Sequence, residues 1–114
     1  VIARLPDGSL TAMYVLFPDP WPKLRHFKRR FIQASMLSEI ARVLRRGGEL
    51  RVATDHSSYA NWALMHLMND DRFRWGAQRA ADWRARPADW TATRYEEKAL
   101  AAGRPCVYLR FFRD

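Results

Sequence analysis

Apolar positions along this chain recur with two different periods. Residues 10–17 read Leu-Thr-Ala-Met-Tyr-Val-Leu-Phe, nearly continuous apolar, between a Pro6-Asp7-Gly8-Ser9 turn and Pro18. A short run, apolar on both faces and bounded by turns, predicts a buried parallel strand. The period then changes. Met36/Leu37, Ile40/Ala41 and Val43/Leu44 recur at helical spacing and predict a helix from residue 34 or 35 to 44. Arg45 and Arg46 suit the negative end of its dipole, and Gly47-Gly48 is the expected stop. Residues 49–54 alternate (Leu50, Val52, Thr54) and predict a second strand. Asp55-His56-Ser57-Ser58 supplies capping groups for a helix over 58–68, with Tyr59, Trp62, Ala63, His66 and Leu67 on its apolar face. A short strand over 73–78, an Arg-, Trp- and Pro-rich loop over 79–93, a helical segment over 95–102 and a final strand over 106–112 complete the pattern.

Strand, helix, strand, helix, strand, strand is the order of an α/β fold with right-handed parallel crossovers. The last two strands lack a clear crossover helix, so an antiparallel pair is expected at one edge. Residues 1–5 read as the tail of an element already under way, and the first residue is Val1. The expectation is a piece of a longer reading frame.

At 114 residues and 48% hydrophobic content, the chain supports one domain with a real core. The net charge of +8 favours an anionic partner: RNA, DNA or an acidic membrane surface. No apolar run approaches the roughly 18 residues of a membrane span, and no secretory leader pattern is visible. A cytoplasmic location is therefore expected. The single cysteine, Cys106, excludes an intrachain disulfide and is expected to pack as a small apolar residue. The three histidines show no metal-ligand spacing. The five glycines, at 8, 47, 48, 76 and 103, form no phosphate-cradling loop.

The candidate chemistry lies beyond the strand ends. Ligands of open parallel sheets bind outside the carboxyl ends of the strands. Asp19 falls just past the first strand, held between Pro18 and Pro20, and Asp55 just past the second. If those strands are neighbours, both carboxylates open onto one crevice. Five Lys/Arg residues lie between Lys23 and Arg30, with His26 and Phe27 interleaved. Such a block suits phosphate contact. Structural alternatives stand beside each reading. Asp19 could form an Asx-turn, Asp55 could cap the following helix, and Trp21 could pack its own loop.

Phe17-Pro-Asp-Pro-Trp-Pro-Lys23, Arg25-His-Phe-Lys-Arg-Arg30, Gly47-Gly-Glu-Leu-Arg-Val-Ala-Thr-Asp55 and Thr93-Arg-Tyr-Glu96 together resemble the bacterial tRNA (guanine-N7-)-methyltransferase family. The resemblance implies a Rossmann-like class I methyltransferase fold, here a partial sheet, with S-adenosylmethionine as methyl donor and tRNA as substrate. It implies a catalytic role for Asp19, near the methyl donor. It implies substrate binding by Lys23, Asp55, Thr93, Arg94, Tyr95 and Glu96, and RNA contact by Arg25, His26, Phe27, Lys28, Arg29 and Arg30. It covers only the carboxyl-terminal half of that family's domain, so the main cofactor loop is expected elsewhere. The piece alone is expected to be inactive, and to self-associate through the exposed first strand. The competing reading is a stand-alone basic RNA-binding module without catalysis.

Overall fold

A computed structural model describes residues 2–114. The expected element through residues 1–5 lies at Val1 outside the described residues, and Ile2–Arg4 form a single 3₁₀ turn. The elements that follow are β1 (Leu10–Leu16), a 3₁₀ segment (Leu24–Arg29), α1 (Ala34–Val43), β2 (Leu44–Thr54) and α2 (Ser57–Met68). Then come β3 (Phe73–Trp75), α3 (Ala81–Arg84), α4 (Arg94–Ala101) and β4 (Val107–Arg113). The four strands form one mixed sheet in the order β1-β2-β4-β3. β1 runs parallel to β2, and β4 runs antiparallel to both β2 and β3. This is the α/β class with a partial methyltransferase-like sheet that the sequence implied. No helix among the described residues is long and apolar enough to cross a membrane.

Strand alternation divides the core between two faces. On one face Leu50 and Val52 of β2 and Leu109 and Phe111 of β4 meet Leu37 and Ile40 of α1 and Tyr59, Ala63 and Leu67 of α2. On the other, Ala53 and Tyr108 pack with Trp90, Ala99 and Cys106. Cys106 is buried, as expected, and burial raises its thiol pKa. Each fully buried Leu, Ile or Val contributes about 1.5–3 kcal/mol by leaving water.

The structure corrects three expectations. β1 is not a buried strand. It is an edge of the sheet, none of its residues is fully buried, and Tyr14 is 51% exposed. Gly47-Gly48 does not stop α1. The helix ends at Val43, Leu44 is already extended, and the glycines lie inside β2. Residues 10 and 12 of β1 pair with 44 and 49 of β2, so β2 carries extra residues there as a bulge. Gly47 supplies a left-handed φ of +81°, and a Cβ at Gly48 would stand 2.8 Å from the Arg45 carbonyl oxygen. The glycines thus let β2 start early, directly off the helix. The antiparallel pair stands at one edge of the sheet as expected, with β3 outermost and β4 bonded to β2 as well. Finally, β3 stops at Trp75, and the expected loop contains the short α3.

This bulge predicts an order of sensitivity. Gly48→Ala would meet backbone oxygens of Arg45 and Thr11 at 2.8 and 3.1 Å, which cannot swing aside. Gly47→Ala meets no atom within 4 Å and suffers only the left-handed backbone penalty, about 1–2 kcal/mol. Urea unfolding should show Gly48→Ala as the more destabilised variant. Equal midpoints for the two would contradict this reading of the bulge.

Candidate functional site

The parallel ladder brings the two acidic loops out at one end of the sheet. Leu16 pairs with Ala53, and the Phe17 amide donates to the Ala53 carbonyl at 2.7 Å. Asp19 follows three residues beyond β1, and Asp55 one residue beyond β2. The two loops therefore leave the same end of adjacent, parallel strands, the end at which open sheets of this kind bind ligands.

The loop that carries Asp19 is strained at both ends. Phe17 has φ +50° and Trp21 φ +42°. Bulky residues avoid this region, at a cost of about 1–3 kcal/mol each, so the surroundings must hold them. Phe17 is held by its amide bond to Ala53 and by the Tyr95 ring, centroid to centroid 5.1 Å. Trp21 packs edge-on against His26 at 5.5 Å, and the Arg29 guanidinium lies 5.0 Å from its centroid. Trp21 thus packs its own loop, the structural alternative. The Asp19 carboxylate, between these fixed points, is exposed and forms no hydrogen bond or ion pair among the described residues.

The other acids are already engaged. Asp55 accepts from Arg104 Nε at 2.8 Å and from the Tyr95 hydroxyl at 3.3 Å. It does not cap α2. His56 is the N-cap, its Nδ1 accepting from the Tyr59 amide at 3.2 Å. Glu96 is buried and paired with Arg86. Thr93 caps α4, its hydroxyl accepting from the Glu96 amide at 3.1 Å. The Tyr108 hydroxyl is pushed well above its usual range by burial, with Glu96 adding to the shift. Arg94 and Tyr95 remain exposed on the first turn of α4.

The basic run divides. Lys23, Arg25, Lys28 and Arg29 are exposed, whereas His26 and Phe27 are half-buried. Phe27 packs edge-on against Trp62 at 5.4 Å. Arg30 departs from its expected place on the RNA surface: it is 1% exposed. Its Nε donates to the Pro20 carbonyl at 2.8 Å and its Nη2 to the Ser58 hydroxyl at 3.2 Å. Its pKa is lowered, mainly by burial. The reason is aromatic packing: Phe27, Trp62 and Tyr59 surround a planar cation that a phosphate would otherwise take.

Several contributors carried no sequence signal. Arg104 and Arg86 act as counter-charges across gaps of 49 and 10 residues. The loop leading to Thr93 is anchored by a network on the sheet face. Arg51 donates to Glu49 at 2.8 Å and Asp89 at 2.5 Å. Its guanidinium lies 5.3 Å from both the Tyr14 and Trp90 centroids. An alternating strand places Arg51 on a face, but nothing local announces its partner in the loop.

The chain is similar to known proteins over nearly its whole length. The family model described as "Putative methyltransferase" matches residues 1–109. A tRNA (guanine-N(7)-)-methyltransferase of Rhodospirillum rubrum is 58% identical over 113 residues, covering 99% of this chain and 44% of that protein. Proteins of the same name from Azorhizobium caulinodans and Nitrobacter hamburgensis are each 48% identical, over 99% and 100% of this chain and 49% and 45% of theirs. The chain thus spans about half the length of the curated relatives it matches.

The Arg51–Asp89 pair predicts an acid response. The Arg51 hydrogen bond holds the Asp89 carboxyl below the ordinary range. A depressed folded pKa means the unfolded loop takes up its proton first as pH falls. The stabilisation is therefore complete above about pH 4 and lost as pH drops through the lower folded value. The ¹⁹F resonance of fluorotryptophan at Trp90 should shift in that acid window. Asp89→Asn should show the shifted signal already at neutral pH. A resonance insensitive to both would contradict the anchor.

Proposed function

The chain belongs to this methyltransferase family, and on that premise we propose that it is the carboxyl-terminal part of a tRNA (guanine-N7-)-methyltransferase domain. The carrying observation is the free Asp19 carboxylate at the shared end of β1 and β2, beside engaged Asp55 and buried, paired Glu96. Of these three acids, Asp19 alone carries no hydrogen bond or ion pair among the described residues.

Guanine N7 carries an exposed lone pair, so its attack on a methyl group needs no strong base. The methylated ring is cationic. A carboxylate accepting from the N1–H and N2–H₂ edge orients the base and offsets that growing charge. Asp19 takes this role. S-adenosylmethionine, the donor that a methyltransferase family implies, supplies an electrophilic methyl on a sulfonium. No glycine-rich loop among the described residues would hold that donor. Lys23 and the segment from Thr93 to Glu96 flank the base, with Tyr95 fixed by Asp55 and Phe17. Arg25, Lys28 and Arg29 hold phosphates. His26 and Phe27 support that surface from beneath. The base reaches the crevice by swinging out of its stack.

The unpaired edge of β1, with Tyr14 and Leu16 exposed, supports a sheet that continues there in the whole protein. Alone, the 114-residue chain is expected to associate with a second copy through that edge and to transfer no methyl groups. Light scattering should show its mass rising with concentration, and a monomer at all concentrations would argue against the edge as a contact.

Asp19→Ala in the complete protein should abolish methyl transfer while tRNA binding is retained. Near-normal turnover would remove Asp19 from the reaction.

A further inference from the structure

The basic run contains one arginine that behaves unlike its neighbours. Arg30 is buried, and among the described residues no carboxylate lies within ion-pair distance. Buried guanidinium groups ordinarily carry an anionic partner, because their desolvation is costly. Here neutral groups hold the charge. The Phe27 centroid is 4.0 Å from the guanidinium carbon and the Trp62 centroid 5.0 Å. The two hydrogen bonds go to different loops. Nε reaches the Pro20 carbonyl, one residue from Asp19, and Nη2 reaches Ser58 in the first turn of α2, three residues from Asp55.

We propose that Arg30 is a positioning residue that sets the spacing of the Asp19 loop from the Asp55 loop, and not a phosphate ligand. The inference rests on the proposed reading for its catalytic consequence. Its structural content stands without it. Prolines 18 and 20 stiffen the loop but do not aim it. Of the loop's two strained residues, Phe17 is tied to β2 through the Ala53 carbonyl and to the Tyr95 ring, whereas the ring contacts of Trp21 are local, on His26 and Arg29. Arg30 adds the cross-brace to α2. The fork geometry matters. A guanidinium can donate in two directions while lying flat between rings, and an ammonium cannot.

Lysine at this position separates the two roles. It keeps the charge, so a phosphate contact would largely survive, but it loses the fork. Three measurements follow, on Arg30→Lys and on the milder Ser58→Ala, which removes one arm of the brace. Amide exchange of the 114-residue chain should speed up over residues 19–24 in both variants, with the far sheet unchanged. Binding of tRNA to the chain, followed against salt, should keep its slope in Arg30→Lys and Arg30→Ala. Arg29→Ala should lower the slope by about 0.9, one phosphate contact. In the complete protein, kcat for methyl transfer should fall about tenfold or more in Arg30→Lys with the tRNA KM within about twofold, since small misplacements of reacting groups are costly.

Unchanged loop exchange in both variants would overturn the proposal. So would Arg30→Lys with normal kcat beside Arg30→Ala with a reduced salt slope. If neither the chain nor the complete protein bound tRNA, the functional reading would fail, and the exchange measurement would still decide the role of Arg30.

Discussion

Parallel pairing of β1 with β2 is the constraint on which the site depends. The ladder from Ala12–Glu49 to Leu16–Ala53 makes the two strands end together. Everything chemical in the chain leaves from that shared end: Asp19 on one side, Asp55 on the other, and the basic run beyond. A register slip would turn the side chains of one strand to the opposite face and separate the two loops. The bulge at Arg45–Gly48 sits at the far end of the same ladder, where it lets β2 begin directly off α1 without disturbing the pairing nearer the site.

Three kinds of contact then hold the loops at that end. Aromatic packing holds strained backbone at Phe17 and Trp21. Ion pairs occupy Asp55 and Glu96, through Arg104 and Arg86, and so turn two of the three acids into supports. A caged arginine joins the loops. These are unequal in strength. Exposed ion pairs are worth little, about 0–1 kcal/mol. The Arg30 cage lies away from water and resists salt, whereas in the Arg86–Glu96 pair the carboxylate is buried and the guanidinium exposed. The exposed cations Lys23, Arg25, Lys28 and Arg29 are free to act over distance on a polyanion, with an ionic-strength dependence the buried groups lack.

Much of this was legible in the sequence, for reasons that differ by residue. β1 and α1 were legible because their apolar periods are clean, and Asp19 because prolines isolate it. The family was legible from the spacing of its motifs. The environment of β1 was not. A strand apolar on both faces reads as buried, yet here one edge and much of one face are open, because burial depends on which neighbours are present. Gly47-Gly48 misled because glycines after a basic helical turn are the usual stop signal, whereas the backbone here needs them for a bulge. Arg30 was read with its neighbours because charge runs carry no mark of burial. The aromatic cage comes partly from Tyr59 and Trp62, about thirty residues away. Counter-charges such as Arg104 and Asp89 were invisible for the same reason.

The account places a guanine base in the crevice at the carboxyl ends of β1 and β2. Photocrosslinking from 6-thioguanosine at the modified position of tRNA, with the linked peptides mapped by mass spectrometry, tests that placement directly. Crosslinks within residues 17–30 and 93–96 are predicted. Crosslinks instead to the Arg45–Arg46 turn at the opposite end of the sheet, or to β3, would contradict the account.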